Sequence, residues 1–125
     1  IQAAPGAGKS AFSLQVSANC QFPALYLTAE MSILEIFRRL ISRETETYLG
    51  RLKTGELGVK EAMRLALETV KRLPAFALLD GTSGYASPQQ ILDVAESLKE
   101  RAGTSQVLVV IDSIQVWAKT VRGVD

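Results

Sequence analysis

Histidine is absent from this sequence, and cysteine occurs once, at Cys20. Without histidine there is no imidazole base or imidazole metal ligand, and a single thiol leaves a zinc site almost no donors. One cysteine also forbids an internal disulfide, which favours a reducing compartment. No apolar run approaches the roughly 20 residues that span a bilayer, so no membrane partner is expected, and no signal peptide pattern is present. There is no initiating methionine, no repeat and no low-complexity tract. Charge of either sign is scarce in excess: the net charge is +1, which neither demands nor excludes a nucleic acid. The sequence has 125 residues, of which 47% are hydrophobic and 22% charged, the balance of one ordinary folded domain. Because it opens directly in a motif, it is expected to be a segment of a longer protein.

What is present is an alternation of short apolar runs and helical patterns. Ala24 to Thr28 reads as a buried strand, and Ser32 to Arg43 as a helix with a capping box from Ser32 to Glu35 and apolar positions at Ile33, Phe37, Leu40 and Ile41. Thr45 to Gly58 is polar and punctuated by Gly50, Gly55 and Gly58. A helix follows from about Val59 to Leu73, halted by Pro74, and then a strand from Ala75 to Leu79. Ser87-Pro88-Gln89-Gln90 starts another helix, with Ile91, Leu92, Ala95 and Leu98 as its apolar stripe and Gly103 as its stop. Val107 to Ile111 is apolar throughout, as expected of a strand covered on both faces. Strand-helix alternation predicts an α/β fold, a parallel sheet sandwiched by helices, with ligands at the carboxyl ends of the strands.

The residues just after those runs carry chemistry. Ala3-Ala4-Pro5-Gly6-Ala7-Gly8-Lys9-Ser10 fits the Walker A pattern, with Ala3 in place of the first glycine. A loop that wraps a polyphosphate turns its N–H groups inward, which favours glycine at Gly6 and Gly8. The helix after it, from about Lys9 to Asn19, aims a partial positive charge of roughly half a unit at the phosphates. Ala4, Pro5, Gly6, Ala7, Gly8, Lys9, Ser10 and Ala11 are therefore the candidate nucleotide-binding residues. Lys9 would reach the β- and γ-phosphates and Ser10 would ligate Mg²⁺. Asp112, after the run Val107 to Ile111, has the Walker B arrangement: a carboxylate delivered by a strand to the magnesium. Glu30, after the run Ala24 to Thr28, is placed either to orient the water that attacks the γ-phosphate or to favour the helix dipole. Gln115 is a candidate γ-phosphate sensor or a loop amide. Asp80 is a turn former first. Arg38, Arg39, Arg43, Arg51 and Lys53 form a basic stretch that reads mainly as a solvated face, and Trp117 reads as a packing residue.

The order Walker A, Leu27-Thr28-Ala29-Glu30-Met31, the helix Ile33 to Arg43, Arg51-Leu52-Lys53-Thr54-Gly55-Glu56-Leu57 and Val110-Ile111-Asp112-Ser113-Ile114-Gln115 resembles the RecA-like motor domain of DnaB-type replicative helicases. The similarity spans nearly the whole sequence. The segment Asp112-Ser113-Ile114-Gln115 looks more like RadA-type repair ATPases, so a RadA- or KaiC-like ATPase, or a nucleotide-binding regulatory module, stands as the alternative. The resemblance implies that residues 1–125 are the N-terminal portion of a RecA-like P-loop ATPase domain, from Walker A to just past Walker B, a partial domain. It implies Lys9 and Glu30 as catalytic, Ser10 and Asp112 at the metal, ATP and Mg²⁺ as cofactors, single-stranded DNA as a partner through parts beyond this sequence, a hexameric ring, and a cytoplasmic location. It further implies that a central strand, an arginine finger and DNA loops come after Asp125. The isolated 125 residues are accordingly expected neither to hydrolyse ATP usefully nor to behave as a well-folded monomer.

Overall fold

A computed structural model describes residues 8–82 and 86–122; Ala4, Pro5, Gly6 and Ala7 of the expected phosphate loop lie outside the described residues. The elements run α1 (Lys9–Asn19), β1 (Ala24–Thr28), α2 (Ile33–Thr45), α3 (Leu49–Thr54), α4 (Val59–Arg72), β2 (Phe76–Asp80), α5 (Pro88–Ala102), β3 (Leu108–Asp112) and α6 (Ile114–Arg122). They fall into two compact units, residues 1–32 with 75–125, and residues 33–74.

The first unit holds a three-stranded parallel sheet in the order β2-β1-β3. In register, Thr28 at the end of β1 lies between Asp80 of β2 and Asp112 of β3, so all three strands finish level. Helices cover both faces. Leu25, Leu27 and Ala29 pack with Ala86, with Ile91 and Leu98 of α5, and with Val116 and Trp117 of α6. Fully burying side chains such as Leu25 and Leu27 contributes about 1.5–3 kcal/mol each. The pleat turns Tyr26 and Thr28 to the opposite face, where α1 packs against β1 and β3.

The strand covered on both faces is β1, all five of whose residues are buried, and not β3. The physical reason is position. Among the described residues β3 is paired along one edge only, and its Val109 is 39% exposed. A uniformly apolar run therefore marked a strand correctly but not its place in the sheet. Asp112 is the last residue of β3 rather than the residue after it, as Asp80 is of β2.

Helix α5 follows the expected capping chemistry. The Ser87 hydroxyl accepts from the Gln90 N–H at 3.1 Å. The helix stops at Gly103, whose φ of 65° suits a residue without a Cβ. Ile91, Ala95 and Leu98 are buried as the spacing predicts, whereas Leu92 is exposed. Trp117 packs on the core and donates its indole N–H to the Ala86 carbonyl at 2.7 Å.

The second unit consists of α2, α3 and α4, with α2 packed against both of the others. Ile36, Leu40 and Ile41 of α2 and Leu65 of α4 are buried; Ile33, expected in that stripe, is partly exposed. The basic stretch is largely satisfied inside this unit. Glu35 meets Lys53 at 2.8 Å and Arg39 at 3.4 Å, Arg43 meets Glu44 at 2.5 Å, and Arg51 meets Glu56 at 3.7 Å. Arg72 reaches the Glu44 carbonyl and Glu68.

Candidate functional site

Gly8 is the N-cap of α1, with φ 90°, a left-handed backbone that a side chain would strain. The first bond of the helix runs from the Phe12 N–H to the Gly8 carbonyl at 2.9 Å. Helix geometry therefore gives the N–H groups of Lys9, Ser10 and Ala11 no intrahelical acceptor. Those groups, and the side chains of Lys9 and Ser10, lie at the carboxyl end of the sheet.

There they meet Asp112, which is only 4% exposed. Its Oδ2 accepts two hydrogen bonds, from Ser10 Oγ at 2.5 Å and from Tyr26 Oη at 2.9 Å. Its Oδ1 lies 3.3 Å from Lys9 Nζ, close enough for charge attraction, yet accepts no aligned hydrogen bond and is sealed from solvent. Lys9 Nζ is also 3.5 Å from Glu30 Oε2, so the ammonium sits between the two carboxylates. Glu30 itself is 41% exposed and projects into an open cleft of about 790 Å³, lined by Lys9, Ser13, Glu30, the end of β3 and the start of α6.

Backbone bonds set these spacings. The Ala29 N–H donates to the Asp112 carbonyl at 2.7 Å, and the Glu30 N–H to the same oxygen at 3.4 Å. Thr28 Oγ1 donates to the Met31 carbonyl at 2.7 Å, tightening the turn that carries Glu30.

The electrostatics follow from the packing. Burial alone would push the Asp112 carboxyl up, but the hydrogen bonds from Ser10 and Tyr26 and the contact with Lys9 outweigh it and hold the group below the usual carboxylate range. Burial pulls Lys9 down, and the opposing contacts with Asp112 and then Glu30 hold its ammonium above the ordinary lysine value. Both groups are charged at neutral pH.

The oxygen donors suit a hard divalent cation. Asp112 offers a buried carboxylate oxygen without a hydrogen bond, and the Ser10 hydroxyl is beside its other oxygen. Among the described residues no group of three or more acidic, cysteine or histidine side chains could hold a metal alone. Phosphate oxygens and water would have to complete the shell, the usual situation for Mg²⁺.

Of the candidate residues, Lys9, Ser10, Glu30 and Asp112 are thus brought together. Gln115 lies in the first turn of α6 and lines the same cleft. Asp80 stands apart from this cluster as a turn former, its Oδ1 accepting from the Thr82 N–H at 2.9 Å and hydroxyl at 2.5 Å. Tyr26 escaped the motif reading. Its signal was a phenol in the middle of an otherwise apolar buried run, since a buried tyrosine hydroxyl requires a partner.

A parallel sheet flanked by helices, with these residues at its carboxyl end, defines an α/β protein of the RecA-like class. The sequence matches the DnaB-like helicase C terminal domain over residues 1–123, and the chain belongs to that family. It is 30% identical over 125 residues to the "Probable replicative DNA helicase" of Guillardia theta, covering 93% of this chain and 20% of that protein. It is 28% identical over 118 residues to the "Replicative DNA helicase DnaB" of Nostoc sp., covering 90% of this chain and 13% of that protein. A "Probable replicative DNA helicase" of Trieres chinensis is 32% identical over 122 residues, with 93% and 26% covered. The chain therefore spans about a quarter or less of the length of these relatives. No solved structure matches it. Among the described residues no helix is long and apolar enough to cross a membrane.

Proposed function

We propose that the chain carries the ATP-hydrolysing site of a replicative DNA helicase motor, acting in the intact protein as a hexameric ring on single-stranded DNA in the cytoplasm. The observation that supports this reading best is the convergence of Lys9, Ser10, Glu30 and Asp112 at one end of the sheet, with Lys9 within 3.5 Å of both carboxylates. Family membership supports the helicase assignment, and the names of the relatives support its role in replication.

In this reading residues 1–125 are the N-terminal portion of a RecA-like domain. Residues Ala4 to Ala11 form the nucleotide-binding loop and first helical turn, and the free N–H groups of α1 receive phosphate. Lys9 exchanges its carboxylate contacts for the β- and γ-phosphates. Ser10 and Asp112 would hold Mg²⁺, which when bound would supply charge neutralisation across the phosphates. Glu30, the exposed carboxylate of the pair, orients the attacking water and takes up its proton. Gln115, across the cleft, reads whether the γ-phosphate is present. The short Lys9–Glu30 distance favours hydrolysis over nucleotide binding alone, because it puts a base beside the phosphate-reaching group.

The test is Lys9→Ala in the intact protein. ATP turnover and DNA unwinding should fall by orders of magnitude, with the circular dichroism spectrum retained. Wild-type turnover in that variant would remove the assignment of the site.

A further inference from the structure

A buried phenol and a helical serine share one oxygen of Asp112 and leave the other to the Lys9 ammonium, 3.3 Å away. We propose that Tyr26 is a positioning residue for Asp112, fixing the rotation of its carboxylate so that Oδ1 stays presented to the cation. The proposal rests on the reading of Asp112 as the magnesium-facing carboxylate.

Three observations carry it. Tyr26 is completely buried at the centre of β1, a strand hydrogen-bonded along both edges, so its ring has a rigid base. It pairs in register with Val110, two residues before Asp112. Its hydroxyl nevertheless reaches Asp112 Oδ2 at 2.9 Å, having covered two residues of strand rise, about 6.6 Å. A tyrosine spans that distance, and the aliphatic residues that share this strand do not. Finally, the donors are unevenly divided. Oδ2 receives both Ser10 and Tyr26, while Oδ1 is sealed, lies 3.3 Å from Lys9 Nζ and accepts no aligned hydrogen bond.

The two donors differ in what they are free to do. Ser10 lies in the first turn of α1 and is itself a proposed magnesium ligand, so its hydroxyl would leave Oδ2 on turning to the cation. The Tyr26 hydroxyl is carried by a central sheet strand and not by the phosphate-facing helix end, and it remains as a protein donor on Oδ2. Partners of this kind, behind a ligand, tune metal affinity by about 10–100-fold.

The test uses the intact protein with Tyr26→Phe, Asp112→Asn and the double variant. A fluorescent ADP analogue is titrated with Mg²⁺, and ATP turnover is measured at limiting and saturating Mg²⁺. Tyr26→Phe should raise the half-saturating Mg²⁺ concentration about tenfold, with analogue affinity in the absence of Mg²⁺ unchanged. Excess Mg²⁺ should restore kcat, with KM for ATP unaltered. In the Asp112→Asn background the same change should have no further effect. A half-saturation within twofold of the parent, with only a lower Tm, would mean that Tyr26 merely packs, and overturns the proposal. If Asp112→Asn alone leaves the Mg²⁺ dependence untouched, the reading of Asp112 itself fails, and the two failures are told apart. Should Tyr26→Phe not fold, Tyr26→Met fills the slot without a hydroxyl and is read in the same titration.

Discussion

Asp112 and Glu35 are both carboxylates paired with a lysine, and they have little else in common. Asp112 is 4% exposed at the end of a sheet strand, 3.3 Å from a lysine whose side chain is 23% exposed. Glu35 is 21% exposed on a helix, 2.8 Å from a lysine that is 44% exposed. The shorter contact is the weaker one in consequence. Solvent screens the Glu35–Lys53 attraction, and holding two long side chains together costs entropy, so such pairs are worth a few tenths of a kcal/mol. Around Asp112 water is excluded, two neutral donors and a cation converge, and removing any of them leaves a buried group short of a partner. Distance alone does not rank ionic contacts; burial does. The sheet unit brings Lys9, Glu30 and Asp112 together at one end of its strands, whereas the pairs of the helical unit, such as Glu35–Lys53 and Arg64–Glu61, are open to solvent.

The largest effect should come from Glu30, the solvent-facing member of the buried cluster. Glu30→Gln keeps the shape and removes the proposed base. Turnover should fall by roughly 10²–10⁴-fold, with nucleotide affinity unchanged by fluorescence titration. If affinity falls in step with turnover, Glu30 belongs with the binding groups and the contrast between the two carboxylates of the cluster disappears.

The helical unit should respond to apolar truncation far more than to loss of charge. Leu65 of α4 is 4% exposed, and Leu65→Ala should cost about 2–5 kcal/mol in urea unfolding. In the sheet unit, Trp117→Phe keeps most of the packing but orphans the Ala86 carbonyl, at a cost of about 1–3 kcal/mol. An effect there below that of a surface ion pair would break the rule that burial sets the scale.

The smallest effect is the titration of Glu35. Its hydrogen bond to Lys53 holds the carboxyl below its ordinary value, assisted by the Lys53 and arginine charges and opposed by partial burial. A depressed folded pKa gives stability that is fully present above the unfolded value of about 4.3 and is lost as the pH falls through the lower folded value. Glu35→Gln should therefore lower unfolding free energy by a few tenths of a kcal/mol at pH 7 and by nothing once both states are protonated. A loss above 1 kcal/mol at neutral pH would place this pair with the buried class.

Much of this architecture is legible in the sequence, for identifiable reasons. Ala24 to Thr28 is a short, largely apolar run, and β1 occupies that span. The Ser87 cap and Gly103 stop of α5 are chemical signals of helix ends and appear as such. Helix α3 was hidden in a glycine-punctuated stretch because it is only six residues long and Gly55, at φ 73°, serves as its C-cap. Helix α6 was missed because only Ser113 separates it from β3. At the site, motif spacing picked out Ser10 and Asp112, although 102 positions separate them. It could not reveal Tyr26, because a hydroxyl that reaches two residues along a neighbouring strand depends on register, and register is absent from local pattern.

The carbonyl of Asp112 has a structural role apart from its carboxylate. It takes N–H bonds from Ala29 and Glu30, so the peptide plane of one residue moors the turn that carries another. Side-chain substitutions at either position leave that mooring intact, because it is made of main chain. A displacement of the β3 tip would either pull the Glu30 turn with it or break these bonds. The two acids are therefore expected to move as a coupled linkage rather than as independent parts: strain applied along β3 would shift the proposed base and the proposed seat of the cation in a single stroke.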